Sequence, residues 1–103
     1  MNDTLDVDAI REFSDEIVGV LKSLANKDRL LILTLLLSEE LNVSEIEEKS
    51  QIQQPTLSQQ LMILRKNEVV KTRRVGKQIF YSIKDDRFVS IVNSVYQFHK
   101  LDH

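Results

Sequence analysis

Residues 41–50 constrain the fold most, because their pattern predicts a helix of only about two turns. The segment "LNVSEIEEKS" contains two overlapping capping registers, Asn42 with Glu45 and Ser44 with Glu47. In each register the first side chain can accept a hydrogen bond from the backbone N–H of the glutamate, and the glutamate side chain can accept one from the backbone N–H of the first residue. The pattern predicts a helix that begins near residues 43–45 and ends near Ser50.

A second helix is predicted after only three linking residues, 51–53. Over residues 54–67 the leucines recur at helical spacing, which predicts a buried stripe of Leu57, Leu61 and Leu64. Pro55 lies in the predicted first turn, where its missing N–H costs little. A short helix, a tight turn and a longer helix together predict a helix-turn-helix over residues 43–67.

Residues 69–83 change to a β pattern. In "VVKTRRVGKQIFYSI", Ile79, Tyr81 and Ile83 alternate with the residues between them, which is typical of a hairpin strand. Gly76 can take the positive φ that a tight turn needs. A basic hairpin directly after a helix-turn-helix predicts a winged helix-turn-helix, with residues 69–83 as the wing.

Three further helices are predicted around this unit. Apolar residues at helical spacing predict helices over residues 8–23 and 86–101, the second capped by Asp85 or Asp86. Between the first of these and the motif, "NKDRLLILTLLL" predicts a central core helix with Asn26 as its N-cap. The predicted order α-α-α-α-β-β-α makes a mainly α fold with one β-hairpin.

Composition limits the chemistry that this chain can perform. Its length suits one domain, residues 1–103. The absence of cysteine excludes disulfides, thiolate metal sites and thiol-based redox sensing. The apolar run "LLILTLLL" is too short for a membrane span and the first residues are acidic, so we expect a cytoplasmic protein without membrane contact. No nucleophile–base pair or glycine-rich phosphate loop is apparent, so we expect no enzyme.

The charges are unevenly distributed, although the net charge is only −2. Residues 61–84 contain seven Lys or Arg residues against one acidic residue, whereas residues 1–60 contain five against twelve. A basic segment directly after a polar helix predicts a local phosphate-binding surface. The residues expected to neutralise DNA phosphates are Arg65, Lys66, Arg73, Arg74 and Lys77. The alternative is a charged surface that keeps the hairpin edge soluble.

On the helix over 54–67 the residues predicted to face away from the leucines are Pro55, Gln59 and Met62, with Thr56 and Ser58 on the flanks. A glutamine amide can pair with adenine N6 and N7, and the N-terminal part of a recognition helix usually meets base edges. We therefore predict base contacts by Gln54, Thr56, Ser58, Gln59 and Gln60. The alternative is a solvated polar face. Lys27 and Arg29, at the start of the core helix, are assigned a structural or auxiliary role.

Four segments, in chain order, resemble the ArsR/SmtB family of bacterial repressors. They are "LKSLANKDRLLILTLL", in the place of the family's L-x-x-L-A-x-x-x-R-L-x-I-L, then "ELNVSEIEE", "QPTLSQQLMILRKNEVV" and "RRVGKQIFYSI". The resemblance covers about residues 18–101. It implies a homodimeric repressor that releases DNA when metal binds. At Gln60 the family usually has histidine.

The resemblance also implies that the first and last helices form the dimer. One helix-turn-helix reads only half a site, which favours the same state. We expect the interface to contain the apolar residues Phe13, Ile17, Val92, Val95, Tyr96 and Phe98. The alternative is that these side chains pack within one chain.

The sequence departs from the family at its metal ligands. Asn42 and Ser44 occupy the positions of a frequent cysteine pair, and a second family site corresponds to Asp85, Arg87, Phe98 and Leu101. Arginine, phenylalanine and leucine do not ligate Zn²⁺. Neither site therefore offers enough ligands for a structural zinc, which needs about four. His99 and His103 are expected to be solvated at the chain end. We expect neither metal nor cofactor.

Together these features predict a homodimeric winged-helix transcriptional repressor that binds double-stranded DNA at a pseudo-palindromic operator and senses neither metal nor thiols. Control by an organic small-molecule effector or by protein concentration alone stays open. The competing interpretation is a winged-helix protein-interaction module that does not bind DNA, because the fold can also bind proteins and the whole chain is acidic.

Overall fold

The computed structural model describes residues 5–101, and His103 lies outside this range. Its helices and strands follow the predicted order except for one additional strand. The helices are α1 (Val7–Leu24), α2 (Lys27–Leu36), α3 (Val43–Ser50), α4 (Thr56–Lys66) and α5 (Asp86–Leu101). The strands are β1 (Leu41–Asn42), β2 (Val70–Val75) and β3 (Gln78–Ile83).

Helix α2 lies at the centre of the molecule and contacts α1, α3, α4, α5 and β3. Its N-terminus is capped as predicted, because the Asn26 side chain accepts from the Arg29 N–H at 3.0 Å. Ile32 and Leu33 are fully buried. The core around them consists of Leu24, Leu36, Leu41, Ile46, Ile52, Leu57, Leu61, Leu64, Val69, Val70, Ile83 and Val92. In α1, by contrast, only Ser23 and Leu24 are buried.

The first helix of the motif is fixed by local capping. The Asn42 side chain accepts from Glu45 N at 2.8 Å, and the Glu45 carboxylate accepts from Asn42 N at 2.9 Å. Of the two predicted capping registers the structure therefore uses the first. Gln51 ends α3 in the left-handed conformation (φ 63°), a common way for a helix to end.

Helix α4 begins two residues later than predicted, at Thr56. Pro55 occupies the N-cap position and its side chain offers no acceptor. Gln54, just before the helix, supplies one instead, because its side-chain oxygen accepts from Ser58 N at 3.0 Å. The prediction that Gln54 forms part of the helix is thus wrong, and Gln54 lies in the turn that precedes α4.

The wing is the hairpin of β2 and β3, with Val75 opposite Gln78 and Gly76 in the turn at φ 61°. The sequence did not predict β1, which pairs with β3 through Leu41–Tyr81 and Asn42–Phe80 and completes a three-stranded sheet. Two residues are too short to show the alternation by which strands are recognised. The winged helix-turn-helix fold itself is confirmed.

Two acidic side chains form hydrogen bonds at junctions between elements, Asp85 before α5 and Glu68 between α4 and β2. Asp85 rather than Asp86 caps α5, since its Oδ1 accepts from Arg87 N at 2.8 Å and from Phe88 N at 3.4 Å. The Arg87 hydrogen bond keeps the pKa of the Asp85 carboxyl below its ordinary value. Glu68 has φ 59° between α4 and β2, and Lys84 donates to its carboxylate at 2.5 Å. Within residues 5–101 no helix combines the length and apolarity needed to cross a membrane.

Candidate nucleic-acid interface

The outer face of α4 is exposed and mostly polar, whereas its inner face contributes to the core. Leu57, Leu61 and Leu64 each have at most 2% of their surface exposed. At about 100° per residue, Gln59, Met62 and Lys66 project from the opposite side, and all are exposed. We call these three residues the outer face of α4. On its flanks Ser58 is exposed and Thr56 is half-buried.

The five residues predicted to contact bases divide into two groups. Gln54 and Gln60 use their side-chain oxygens within the protein, the first on Ser58 N and the second on Arg29 Nη1 at 2.9 Å. The side chains of Thr56, Ser58 and Gln59 make no hydrogen bond within the described part of the chain. Of the three glutamines predicted to contact bases, Gln59 is therefore the one whose whole amide is available to a ligand.

Arg65, Lys66 and Lys77 present their charges to solvent, since all three are exposed and have no carboxylate partner among residues 5–101. Arg65 and Lys66 lie in the last turn of α4. Lys77 lies in the turn of the wing. Arg74 Nε donates to the carbonyl oxygen of Gly76 at 3.0 Å, so this side chain also closes the turn.

Arg73 is held against the protein by a partner that sequence reasoning missed. Its Nη2 donates to a carboxylate oxygen of Glu40 at 2.6 Å, and its guanidinium lies 5.4 Å from the centre of the Phe80 ring. The hydrogen bond lowers the pKa of Glu40 and raises the pKa of Arg73. Arg73 lies opposite Phe80 across the hairpin, and Phe80 lies opposite Asn42 in β1, which brings Glu40 alongside. Only knowledge of β1 could have revealed this pair.

Most of the predicted dimer residues are exposed apolar side chains. Phe13 is 51% exposed and Phe98 is 72% exposed, and Ile17, Val95 and Tyr96 are also accessible. Val92 requires a correction, because it is only 1% exposed and packs in the core. Since it is buried in the core of its own chain, its side chain is not available to a second chain.

The positions that correspond to the family's metal ligands form no ligand cluster in the described part of the chain. Within residues 5–101, no three His, Cys, Asp or Glu side chains are grouped so that they could hold a metal ion. Asn42 and Ser44 instead lie at the start of α3, where Asn42 acts as its cap.

A separate cavity of about 520 Å³ lies between α1, α5 and the turn after α4. Ile17, Leu21 and Phe88 line its apolar side.

Comparison with known proteins agrees with this arrangement. The family model described as "Bacterial regulatory protein, arsR family" matches residues 26–72. The biofilm growth-associated repressor of Agrobacterium fabrum is 41% identical over 88 residues, which are 85% of this chain and 75% of that protein. The chain belongs to the ArsR family of bacterial regulatory proteins.

Solved structures of similar proteins support the same conclusion. The crystal structure of the transcriptional repressor BigR from Xylella fastidiosa matches with a TM-score of 0.85 at 36% identity, over 91% of this chain and 96% of that one. The solution structure of a homodimeric winged helix-turn-helix DNA-binding domain from Mycobacterium bovis matches with a TM-score of 0.76 at 28% identity, over 97% and 91%. ArsR-family members are transcriptional regulators, so the prediction that the chain is not an enzyme is confirmed.

Proposed function

We propose that this ArsR-family protein is a homodimeric repressor in which two α4 helices enter successive major grooves of a pseudo-palindromic operator. The observation that carries the proposal is the outer face of α4, which is exposed and mostly polar and is followed directly by a basic wing. An exposed helix of this kind can fit the major groove, and two copies of it match two half-sites one turn apart.

Within this proposal the roles of the side chains differ. Gln59 reads a base edge, with Ser58 and Thr56 beside it, and Gln54 positions the start of the helix through Ser58 N. The phosphates are neutralised by Arg65, Lys66, Arg74 and Lys77, with Arg73 joining once it leaves Glu40.

The dimer forms through α1 and α5. Most of α1 lies outside the core of its own chain, and its apolar stripe includes Phe13 and Ile17. Exposed apolar surface of this extent marks an interaction site, and the homodimeric relative supports a second copy as the occupant. Exposed Val95, Tyr96 and Phe98 contribute from α5.

The operator is bound in the cytoplasm by one domain spanning residues 1–103, and repression follows from occlusion of a promoter. The proposed regulation does not involve metal or thiol chemistry, because Asn42 and Ser44 stand at the positions of the family's thiolate ligands and the chain has no cysteine. An organic effector, which needs neither, is compatible with the proposal.

Selection of duplexes from a random pool tests DNA binding. We expect enrichment of a sequence with two inverted half-sites whose centres lie about 10–10.5 base pairs apart, and binding that falls with salt. If repeated rounds failed to enrich any sequence over the starting pool, the protein would not be a sequence-specific DNA-binding protein. A protein-interaction module would then be the better description.

The mass in solution tests the dimer. Phe13→Glu places a charge in the proposed interface and should shift the protein from dimer to monomer in sedimentation at micromolar concentration. Val75→Glu is the matched control, because Val75 in the wing is exposed to a similar degree, 45%, but lies outside α1 and α5. A monomeric wild type, or a Phe13→Glu protein that stays dimeric, would contradict the assignment.

A further inference from the structure

The Arg29 guanidinium joins three helices. Its Nε donates to the Ser23 carbonyl oxygen at 2.7 Å and its Nη2 donates to the Lys22 carbonyl oxygen at 3.1 Å, both at the end of α1. Its Nη1 donates to the Gln60 side-chain oxygen in α4 at 2.9 Å. Arg29 itself belongs to the first turn of α2. One side chain therefore connects the helix of the proposed dimer interface with the helix proposed to read DNA.

The contact is well fixed at its α1 end. The last carbonyl groups of a helix lack intrahelical donors, and a cation is favoured at this negative end of the helix dipole. Arg29 satisfies two of these carbonyls. Its backbone cannot shift easily, because its N–H is bound to the Asn26 side chain at 3.0 Å. The guanidinium is thus anchored before it reaches α4.

At its α4 end the contact adds a directional hydrogen bond to the apolar packing of the leucine stripe. The leucine stripe fixes which side of α4 faces the core, but hydrophobic contact is non-directional. A hydrogen bond from a charged donor is directional, and it is shorter and stronger than one between neutral groups. Gln60 is half-buried and immediately follows Gln59 of the outer face. The bond from Arg29 therefore fixes the rotation of α4 about its axis, and with it the direction in which Gln59 projects.

We propose that Arg29 and Gln60 form a positioning contact that sets the orientation of α4 relative to α1, and that Gln60 does not read a base. The inference rests on the proposed DNA-binding function and changes one assignment within it. A positioning contact should influence every base pair that α4 reads. It should leave sequence-independent attraction to phosphates unchanged.

Gln60→Ala separates positioning from base reading. On the duplex selected by wild-type protein we expect affinity to fall about 10-fold, as for loss of a hydrogen bond to a charged group. On single-base-pair variants of that duplex, discrimination should shrink at all positions that α4 contacts. Affinity for a scrambled duplex and the salt slope should stay as in wild type. Gln59→Ala is the matched control and should relax preference at one position only.

Gln60→Glu provides the conservative rescue. Its carboxylate keeps an acceptor for Arg29 Nη1, so operator affinity should stay within about threefold of wild type, because an ionised acceptor strengthens such a bond. A carboxylate that pointed into the groove would instead repel the phosphates and abolish binding. In an Arg29→Met background, Gln60→Ala should have no further effect on affinity. Arg29→Met also uncaps α1, so if that variant does not fold, the two Gln60 variants alone decide.

Several results would overturn the inference. Preference lost at a single base pair in Gln60→Ala, or binding abolished in Gln60→Glu, would make Gln60 a base-reading residue. Unchanged operator affinity in Gln60→Ala would show that the contact positions nothing. Failure of wild-type protein to select any duplex is a different result, since it would remove the proposed function and this inference with it.

Discussion

The wing tip permits a quantitative prediction about phosphate contacts. Lys77 lies in the turn between β2 and β3, is exposed, and has no carboxylate partner among residues 5–101. A dimer would bring two copies of Lys77 to the duplex. Each phosphate that a lysine neutralises contributes about 0.9 to the slope of log affinity against log salt, so Lys77→Ala should lower the slope by about 1.8.

This change in slope is large enough to measure by fluorescence anisotropy with a labelled operator duplex. Over the rise from about 50 to about 200 mM salt, wild-type affinity should fall roughly 12-fold more than the affinity of Lys77→Ala. The loss should be the same on a scrambled duplex, because a phosphate contact carries no sequence information.

Arg11→Ala is the matched control for this titration. Arg11 is an exposed cation in α1, paired with Asp8 at 2.9 Å, and its removal should leave the slope unchanged. A wild-type slope in Lys77→Ala would refute the phosphate contact. An equal loss of slope in Arg11→Ala would attribute the effect to net charge rather than to the wing.

Three further predictions concern the wing, the outer face and the core. Glu40→Gln should release Arg73 for a phosphate and steepen the dependence of DNA affinity on salt. Because Arg73 lowers the pKa of Glu40, the stabilisation from this ion pair should be present above pH 4.5 and lost on acidification below it, which unfolding measured as a function of pH will detect. Gln59→Ala should cost about 1–3 kcal/mol of discrimination at one base pair, measured by competition between duplex variants. Leu57→Ala should lower the free energy of unfolding in urea by about 2–5 kcal/mol, whereas Met62→Ala, at an exposed position of the same helix, should stay within about 0.5 kcal/mol of wild type.

The features that the sequence predicted well are those set by near neighbours. The capping box of Asn42 and Glu45 and the glycine turn at Gly76 each depend on residues within one turn of the chain. The leucine stripe of α4 is equally local, because its period alone identifies the buried side.

The features that the sequence did not predict depend on residues far apart in the chain. Arg29 meets Gln60 across 31 residues, and Arg73 meets Glu40 across 33. Both pairs arise from the packing of elements whose contacts no local pattern encodes. Val92 was misassigned because α5 has an apolar side facing α2 and another facing solvent, and helical spacing does not tell which is which.

Chemical interference on the selected duplex tests the central claim most directly, namely that two copies of α4 occupy successive major grooves. Methylation of guanine N7, which lies in the major groove, should block binding in two symmetric clusters about 10–10.5 base pairs apart. Phosphate ethylation should interfere next to both clusters, where the wings lie. Interference in the minor groove alone, a single cluster, or no site-specific pattern would contradict the account.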